Sequence, residues 1–311
     1  MMEKVPYIPQ KSQETNIIES AMQRVETIMK DVVASDVKVL TEASKHILQA
    51  GGKRVRPQLV LLSYAAFDGE DFEEAAPIAA ALELVHTASV VHDDINDHGV
   101  IRRGRPSVNA IWGRTFALLT GDFLFTKVYE LMAPYGELNV IFADATVALV
   151  EGETLQASAV KESNFTRQVY MDIIARKTAA LFKAGAMLGA SLANAESDQI
   201  EAMGRYGFNI GLAFQIIDDI LDLIGDEEEL GKNSGQDLKQ GRGIAAVDNN
   251  GDNATNVLDS VKAKLVDNIE TATAQAQHLV ELAIDELSVL TDSPAKSQLI
   301  DLANKIINRT H

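Results

Sequence analysis

The spacing of apolar residues is the feature that most limits the fold, because they recur every three or four positions along most of the chain. This spacing places them on one side of an α-helix, and no segment alternates apolar and polar residues as a half-buried strand does. Proline, which interrupts helices, occurs only 7 times in 311 residues. We therefore predict an all-α bundle of roughly ten or more helices.

Two predicted helices are apolar on nearly every side, as the central helices of a bundle are. One runs from Ala75 to about Asp97 and is interrupted only by Glu83 and His86, and the other covers Met203 to Ile224. Further helices are predicted over 15–49 (two helices, ending at Gly51-Gly52), Phe116–Leu131, Val140–Gln156, Val169–Leu192, and from Ser293-Pro294 onward. Turn-forming residues at 225–243 and 248–253 do not divide the chain, so we predict one domain over 1–311.

The composition excludes several classes of function. Asp and Glu number 45 against 28 Lys and Arg, and the resulting formal charge of −17 disfavours nucleic acid and, at first sight, any anionic substrate. Cysteine is absent, which excludes disulfides, thiolate metal sites and cysteine nucleophiles. The chain starts without a basic-then-apolar signal and has no 18-residue apolar run, so we predict a cytoplasmic protein without a stable membrane anchor.

A repeated acidic motif carries the chemistry. D-D-x-x-D occurs near the predicted end of each central helix, as Asp93, Asp94 and Asp97 in one and as Asp218, Asp219 and Asp222 in the other. The first and last aspartates of each copy share a helical face, where mutual repulsion favours a bound cation such as Mg²⁺. A solvated helix end is the structural alternative, but acidic groups there oppose the helix dipole, and two copies favour a metal-diphosphate clamp.

Two other binding motifs are excluded by spacing. An EF-hand loop starting at Asp94 would place Arg105 at its twelfth position, where a bidentate Glu is required. The segment Gly225–Lys232 resembles a P-loop, but its glycines are one residue too far apart and Asn233 follows the lysine in place of Ser or Thr. Kinase and NTPase functions are therefore disfavoured.

Two basic runs supply partners for phosphate. Gly51–Pro57 holds Lys53, Arg54 and Arg56 on a tight loop, and Arg102-Arg103-Gly104 follows the first aspartate motif. Each run alone is typical of a solvated turn. Beside a metal-binding motif, however, Arg and Lys are the usual ligands of phosphate oxygens.

Together these motifs resemble the trans-isoprenyl diphosphate synthases, or polyprenyl synthetases, over nearly the whole chain. The resemblance also includes Gly121-Asp122, Gly152-Glu153 with Gln156, Lys177-Thr178, Phe214-Gln215 and Gly231-Lys232. It implies the isoprenoid synthase fold with a deep central cavity, a homodimer, and three Mg²⁺ ions, with Mn²⁺ as the alternative, that hold an allylic diphosphate between the two aspartate motifs. The activity it implies is condensation of that diphosphate with isopentenyl diphosphate.

Site residues are carried over from the same resemblance. Metal ligands are Asp93, Asp97, Asp218 and Asp222, assisted by Asp94, and Asp219 and Lys177 complete the catalytic set. The isopentenyl diphosphate site is Lys53, Arg56, His86 and Arg103. Contacts to the allylic diphosphate are Arg102, Lys177, Thr178, Gln215, Lys232 and Arg242. Arg242 stands where the family has Lys and keeps the charge without the geometry.

Product length is predicted from the helix before the first aspartate motif. Ala88 and Ser89 lie about one turn from Asp93, where a large ring would close the cavity, and Val85 lies one turn deeper. Because these residues are not bulky, we predict a product longer than C20, in the range C25 to C40. The alternatives are a C15 or C20 synthase, a terpene cyclase of related fold, and a non-catalytic subunit of a heteromeric synthase.

Overall fold

Helices account for nearly all of the part of the chain that the structure describes. The computed structural model describes residues 10–162, 164, 166–228 and 257–308, without the side chains of 10–16, 223, 225–228 and 257–268. The α-helices are α1 (Gln10–Val32), α2 (Lys38–Gln49), α3 (Val55–Ala65), α4 (Phe72–Asn96), α5 (Val108–Met132), α6 (Leu138–Glu162), α7 (Arg167–Ile174), α8 (Ala180–Leu192), α9 (Ser197–Glu228), α10 (Val257–Glu286) and α11 (Pro294–Ile307). The predicted all-α fold is confirmed.

Shorter elements connect some of these helices. Three-ten turns lie at Ala133–Tyr135 and Leu287–Val289, and a π-helical turn at Ala175–Ala179 joins α7 to α8 without a break. The two-residue strands β1 (Ile101–Arg102) and β2 (Arg105–Pro106) pair antiparallel in a small hairpin after α4. Sequence reasoning did not foresee this hairpin, because two residues are too few to show a strand pattern.

The described residues pack into two compact units. The first contains the described residues up to Phe142 together with Leu188–Glu196 and Asp292–Lys296. The second contains those of Ala143–Met187, Ser197–Thr291 and Ser297–His311. One domain over the whole chain therefore stays a prediction.

Helix α4 forms the core of the first unit. It packs on α1, α3 and α5, and its apolar side chains, such as Ile78, Leu82 and Leu84, are fully buried. Asp71 caps its N-terminus by accepting a hydrogen bond from the Glu73 amide at 3.1 Å. Among the described residues α4 is the one helix long and apolar enough to cross a membrane, yet 78% of its most apolar window is buried. That burial is what a core helix requires.

Helix α9 has the corresponding place in the second unit, where it packs on α10 and on the π-helical turn. Close packing against the turn requires glycine on its neighbours. A Cβ built on Gly152 of α6 would lie 2.6 Å from the Lys177 amide nitrogen, and one on Gly211 of α9 would lie 2.7 Å from Ala179 Cα. These glycines let both helices approach the backbone that carries Lys177 and Thr178.

The helix bounds differ from the prediction at the second aspartate motif. Helix α4 ends at Asn96 with Asp97 as its C-cap, as expected. Helix α9, in contrast, continues past Asp222 to Glu228. The second motif therefore lies inside its helix, and the argument from an opposed helix dipole applies to the first motif only. The predicted start of α11 is confirmed, since the Lys296 amide donates to Ser293 Oγ at 3.1 Å.

The packing at Gly211 gives a first prediction. We expect Gly211→Ala to lower the free energy of unfolding by about 1–3 kcal/mol, because the added methyl group meets backbone that cannot move cheaply. Urea denaturation measures the change. Gly204→Ala on the same helix is the control: its nearest neighbour, Met187 Cγ at 3.0 Å, belongs to a flexible side chain. That substitution should be neutral or stabilising by up to about 1 kcal/mol. Equal losses at both glycines would contradict the packing argument.

Candidate active site

The first unit carries a group of cationic side chains around His86. The first turn of α3, and not the predicted loop, presents Arg56, which is 7% exposed, and the hairpin after α4 presents Arg102 and Arg103. We call Arg56, His86, Arg102 and Arg103 the cationic cluster. Lys53 is exposed on the loop just before α3.

Direct packing joins the loop to the hairpin. The guanidinium of Arg103 lies over Gly52, so that a Cβ built there would be 2.5 Å from Arg103 Nη1. A ring nitrogen of His46 on α2 lies 2.8 Å from the Pro106 carbonyl oxygen and holds the other strand of the hairpin. Two segments about fifty residues apart in the chain are thereby fixed against each other.

The pKa of His86 reflects both its burial and the nearby arginines. Burial, followed by the positive charges of Arg56, Arg103, Arg102 and Arg54, holds the pKa of His86 well below its ordinary value of 6.5. The imidazole is therefore neutral at pH 7. The arginines that add to the effect of burial form a concentration of positive charge that is suited to binding an anion.

Arg54 is set apart from its cationic neighbours by a buried ion pair. Its φ angle of +47° places it in the left-handed region just before α3. Its guanidinium donates to Glu83 Oε1 at 2.8 Å, to Glu26 and to the Leu48 carbonyl oxygen. Burial acts to lower the pKa of Arg54, but the two carboxylates together raise it. Arg54 therefore joins α1, α2 and α4 beneath the loop.

The first aspartate motif has one buried and two accessible carboxylates. Asp94 is 1% exposed and accepts hydrogen bonds from Arg102 Nε at 3.0 Å and Nη2 at 2.7 Å. Burial raises the pKa of Asp94, and the charge of Arg102 opposes that shift. Asp93 and Asp97 are half-buried. The structure therefore brings two predicted site residues, Asp94 and Arg102, into contact with each other.

The second unit repeats this arrangement on α9. Asp219 is 8% exposed, whereas Asp218 is half-buried and Asp222 is exposed. Asp219 Oδ2 accepts from the Tyr170 hydroxyl at 2.6 Å, and Oδ1 accepts from Gln215 Nε2 at 2.9 Å. In both motifs the second aspartate is thus turned inward.

The π-helical turn brings together further predicted residues. Thr178 Oγ1 donates to Gln215 Oε1 at 2.7 Å. Lys177 Nζ lies 2.7 Å from Glu153 Oε1 and 3.3 Å from Gln156 Oε1. The motifs Gly152-Glu153 with Gln156, Lys177-Thr178 and Gln215 therefore meet around one widened helical turn, a feature common at functional sites.

The remaining predicted residues fall into two groups. Ala88 and Val85 are fully buried in α4, and Ser89 is half-buried with its hydroxyl donating to the His86 carbonyl oxygen at 2.9 Å. Lys232 and Arg242 lie outside the described residues, as do the predicted turns that contain them. Their proposed contacts stay predictions.

Sequence reasoning missed the roles of Glu83 and Tyr170. Glu83 had a signal, because it and His86 are the only titratable residues between Ala75 and Val91, and it is 3% exposed in the fold. A charge at such a position requires a partner. Tyr170 had none, since a tyrosine on an amphipathic helix is an ordinary core residue.

Comparison with known proteins identifies the family. The family model described as polyprenyl synthetase matches residues 37–287. The short chain isoprenyl diphosphate synthase of Methanothermobacter thermautotrophicus is 36% identical, covering 94% of this chain and 96% of that protein. Heptaprenyl diphosphate synthase component 2 of Geobacillus stearothermophilus is 38% identical, covering 92% and 95%.

A solved structure agrees. The decaprenyl diphosphate synthase from Rhodobacter capsulatus superposes with a TM-score of 0.86 at 31% identity, covering 97% of this chain and 99% of that one. The chain belongs to the polyprenyl synthetase family. It is a transferase of the prenyl diphosphate synthase class.

The buried ion pair beneath the loop gives a second prediction. Arg54→Ala leaves Glu83 without its charged partner, so we expect the free energy of unfolding to fall by about 3–5 kcal/mol. Arg24→Ala is the control, because Arg24 and Glu73 pair at 2.8 Å with side chains that are 44% and 68% exposed. Its loss should be about 0–1 kcal/mol. Denaturant titration measures the free energy of unfolding of both variants. Similar decreases for the two would contradict a structural role for Arg54.

Proposed function

We propose that this enzyme condenses isopentenyl diphosphate with an allylic diphosphate in Mg²⁺-dependent trans chain elongation. The observation that carries the proposal is the gathering of Arg56, Arg102 and Arg103 around the buried His86 in a chain that also has both aspartate motifs intact. A terpene cyclase uses a single diphosphate substrate and has no need of a second anion site. The cluster therefore favours condensation of two diphosphates.

Each motif offers oxygen ligands to a hard divalent cation. Among the described residues no three acidic or histidine side chains converge closely enough to enclose a metal by themselves. Mg²⁺ is commonly held by one or two carboxylates, with water and substrate phosphates completing its shell, so accessible aspartates fit it. The side chains that would hold the three ions are Asp93 and Asp97 from the first motif and Asp218 and Asp222 from the second. Mn²⁺ is the alternative metal.

The chemistry of the leaving group explains these ligands. Breaking the allylic C–O bond places negative charge on the departing diphosphate, and divalent ions held by these aspartates would stabilise that charge. Lys177, Thr178 and Gln215, around the π-helical turn, are proposed to contact the same diphosphate. Arg102, Lys232 and Arg242 have the same proposed role.

Isopentenyl diphosphate is assigned to Arg56, His86 and Arg103 of the cationic cluster, together with Lys53. The fixed charges of Arg56 and Arg103 hold its diphosphate, and the neutral His86 ring contributes a hydrogen bond. Once the C–O bond of the allylic diphosphate has broken, the electron pair of the isopentenyl double bond attacks the resulting allylic cation and forms the new C–C bond. A proton passes to the released diphosphate. Apolar helices exclude water, which would otherwise capture the allylic cation.

The partners and location follow from the same proposal. A homodimer is supported by apolar side chains of α5 that are exposed in the single chain: Ile111, Phe116, Leu118 and Leu119. We propose a cytoplasmic enzyme that binds no nucleic acid and has no stable membrane anchor. One domain formed by residues 1–311 is proposed as well.

Two relatives bear on the alternative functions. One is named a component of a heptaprenyl synthase, which makes a heteromeric assembly a second candidate. Non-catalytic subunits tend to lose aspartates, and here both motifs are whole, so we propose that this chain is catalytic in either assembly. Another relative is named a short-chain synthase, which keeps a C15 or C20 product as an alternative.

The proposed activity is tested by incubating the purified chain with Mg²⁺, isopentenyl diphosphate and geranyl, farnesyl or geranylgeranyl diphosphate. We expect diphosphate release with every productive primer and loss of release when EDTA removes the metal. Asp93→Asn should lower kcat by about 10² or more, as loss of a transition-state electrostatic contact does. Release of diphosphate without isopentenyl diphosphate would instead indicate a cyclase, and no release with any primer would indicate a non-catalytic subunit.

A longer product than C20 is proposed from the small residues before the first motif. Ser89→Phe should shorten the main product by one or more isoprene units on reverse-phase chromatography, because Ser89 is only half-buried and a ring there reaches the growing chain. Ala88→Phe is a weaker probe, since Ala88 is fully buried and a ring there also overpacks the core. Ser89→Ala, which removes the hydroxyl without adding bulk, is the control. An unchanged product from Ser89→Phe would contradict the proposal.

A further inference from the structure

Four side chains of the second unit form a continuous hydrogen-bonded chain that runs from α7 to the π-helical turn. The Tyr170 hydroxyl donates to Asp219, Gln215 donates to the same carboxylate, and Thr178 donates to Gln215, at 2.6, 2.9 and 2.7 Å. Tyr170 is 3% exposed, Asp219 8% and Thr178 5%. Three different elements are thus tied together at one buried carboxylate.

The donors in this chain fix the orientation of the Gln215 amide. Its nitrogen faces the Asp219 carboxylate, which only accepts, and its oxygen faces the Thr178 hydroxyl. The flipped amide would set its oxygen against the carboxylate and is electrostatically disfavoured. Gln215 and Asp219 are also one helical turn apart on α9, the spacing at which helical side chains meet. The position of the carboxylate therefore determines which atoms of Gln215 are presented.

Tyr170 in turn holds the carboxylate. Its hydroxyl is the donor to Asp219 Oδ2, and a hydrogen bond to a charged acceptor is stronger than one between neutral groups. Without this donor the buried carboxylate would lose a charge-assisted hydrogen bond, and its orientation, with that of the Gln215 amide bound to it, would no longer be fixed. We propose that Tyr170 is a positioning residue, which acts through Asp219 to hold the Gln215 amide in the orientation that leaves its second N–H for the allylic diphosphate, while Thr178 secures the amide oxygen.

The identity of the ligand in this inference rests on the proposed function. The hydrogen-bonded chain from Tyr170 to Thr178 does not depend on that function. It separates the two neighbouring aspartates of the second motif. Asp218, half-buried, is the one offered to a metal ion, and Asp219 is the internal anchor of the hydrogen-bonded chain. Tyr170 touches neither diphosphate nor metal in this scheme, so its removal changes geometry without removing a ligand.

The test compares Tyr→Phe substitutions at two buried tyrosines, each of which removes one hydroxyl group. Tyr206 lies on α9 in the same unit, is fully buried and donates to the Leu299 carbonyl oxygen at 2.8 Å, away from the aspartate motif. Tyr170→Phe should lower kcat/KM for the allylic diphosphate about tenfold, the factor expected for a lost hydrogen bond to a charged group. KM for isopentenyl diphosphate should stay within about twofold. Tyr206→Phe should leave both within about twofold, although each variant lowers the midpoint of thermal unfolding.

A double-mutant cycle with Gln215→Leu separates positioning from general destabilisation. If Tyr170 acts through Gln215, Tyr170→Phe causes little further loss of kcat/KM in the Gln215→Leu background. Multiplicative losses, or equal losses from Tyr206→Phe, would overturn the proposal. The same cycle can be measured without turnover, by determining the affinity of each of the four proteins for inorganic pyrophosphate with Mg²⁺ by isothermal titration calorimetry. Wild-type protein that binds pyrophosphate but does not condense would contradict the proposed function and leave this cycle readable, whereas protein that binds none would overturn both.

Discussion

A charge inside an apolar helix needs a partner, and this requirement organises both units of the fold. Glu83 and Asp94 are nearly fully buried on α4, and Asp219 is buried on α9. An unpaired carboxylate in such surroundings costs several kcal/mol, of the order of the whole stability of a domain. Each is therefore met by a donor from another part of the chain. Arg54 comes from the loop before α3, Arg102 from the hairpin, and Tyr170 from α7.

The same pairing explains why each motif begins with two aspartates. Adjacent residues of a helix point about 100° apart, so one carboxylate of the pair turns inward while its neighbour stays accessible. The accessible members, Asp93 and Asp218, are suited to ligands from outside the helix. The buried members, Asp94 and Asp219, anchor Arg102 and Tyr170. One doubled residue thus provides both a ligand and the support that fixes the segment around it.

The spacing of apolar residues was enough to predict the helices and to place both aspartate motifs on them, because helical spacing depends only on residues near each other in sequence. Which basic residues are structural and which are available to a ligand could not be predicted in this way. Arg54 and Arg56 are two residues apart in one basic run, and only the positions of Glu26 and Glu83 make the first structural. The hairpin that carries Arg103 and the bond from Tyr170 to Asp219 likewise depend on tertiary packing. Such contacts join distant residues and leave no periodic signal.

The net charge illustrates the difference between a whole chain and a site. A formal charge of −17 suggests an unfavourable field for an anionic substrate. In salt, however, exposed charges are screened beyond roughly 8–10 Å, so the potential at a site is set by the few groups nearest to it. Around His86 those groups are arginines, whose charges act in the same direction as burial and lower its pKa further. The global charge therefore disfavours a long polyanion that must contact much of the surface, but it does not disfavour a small diphosphate bound in the cationic cluster.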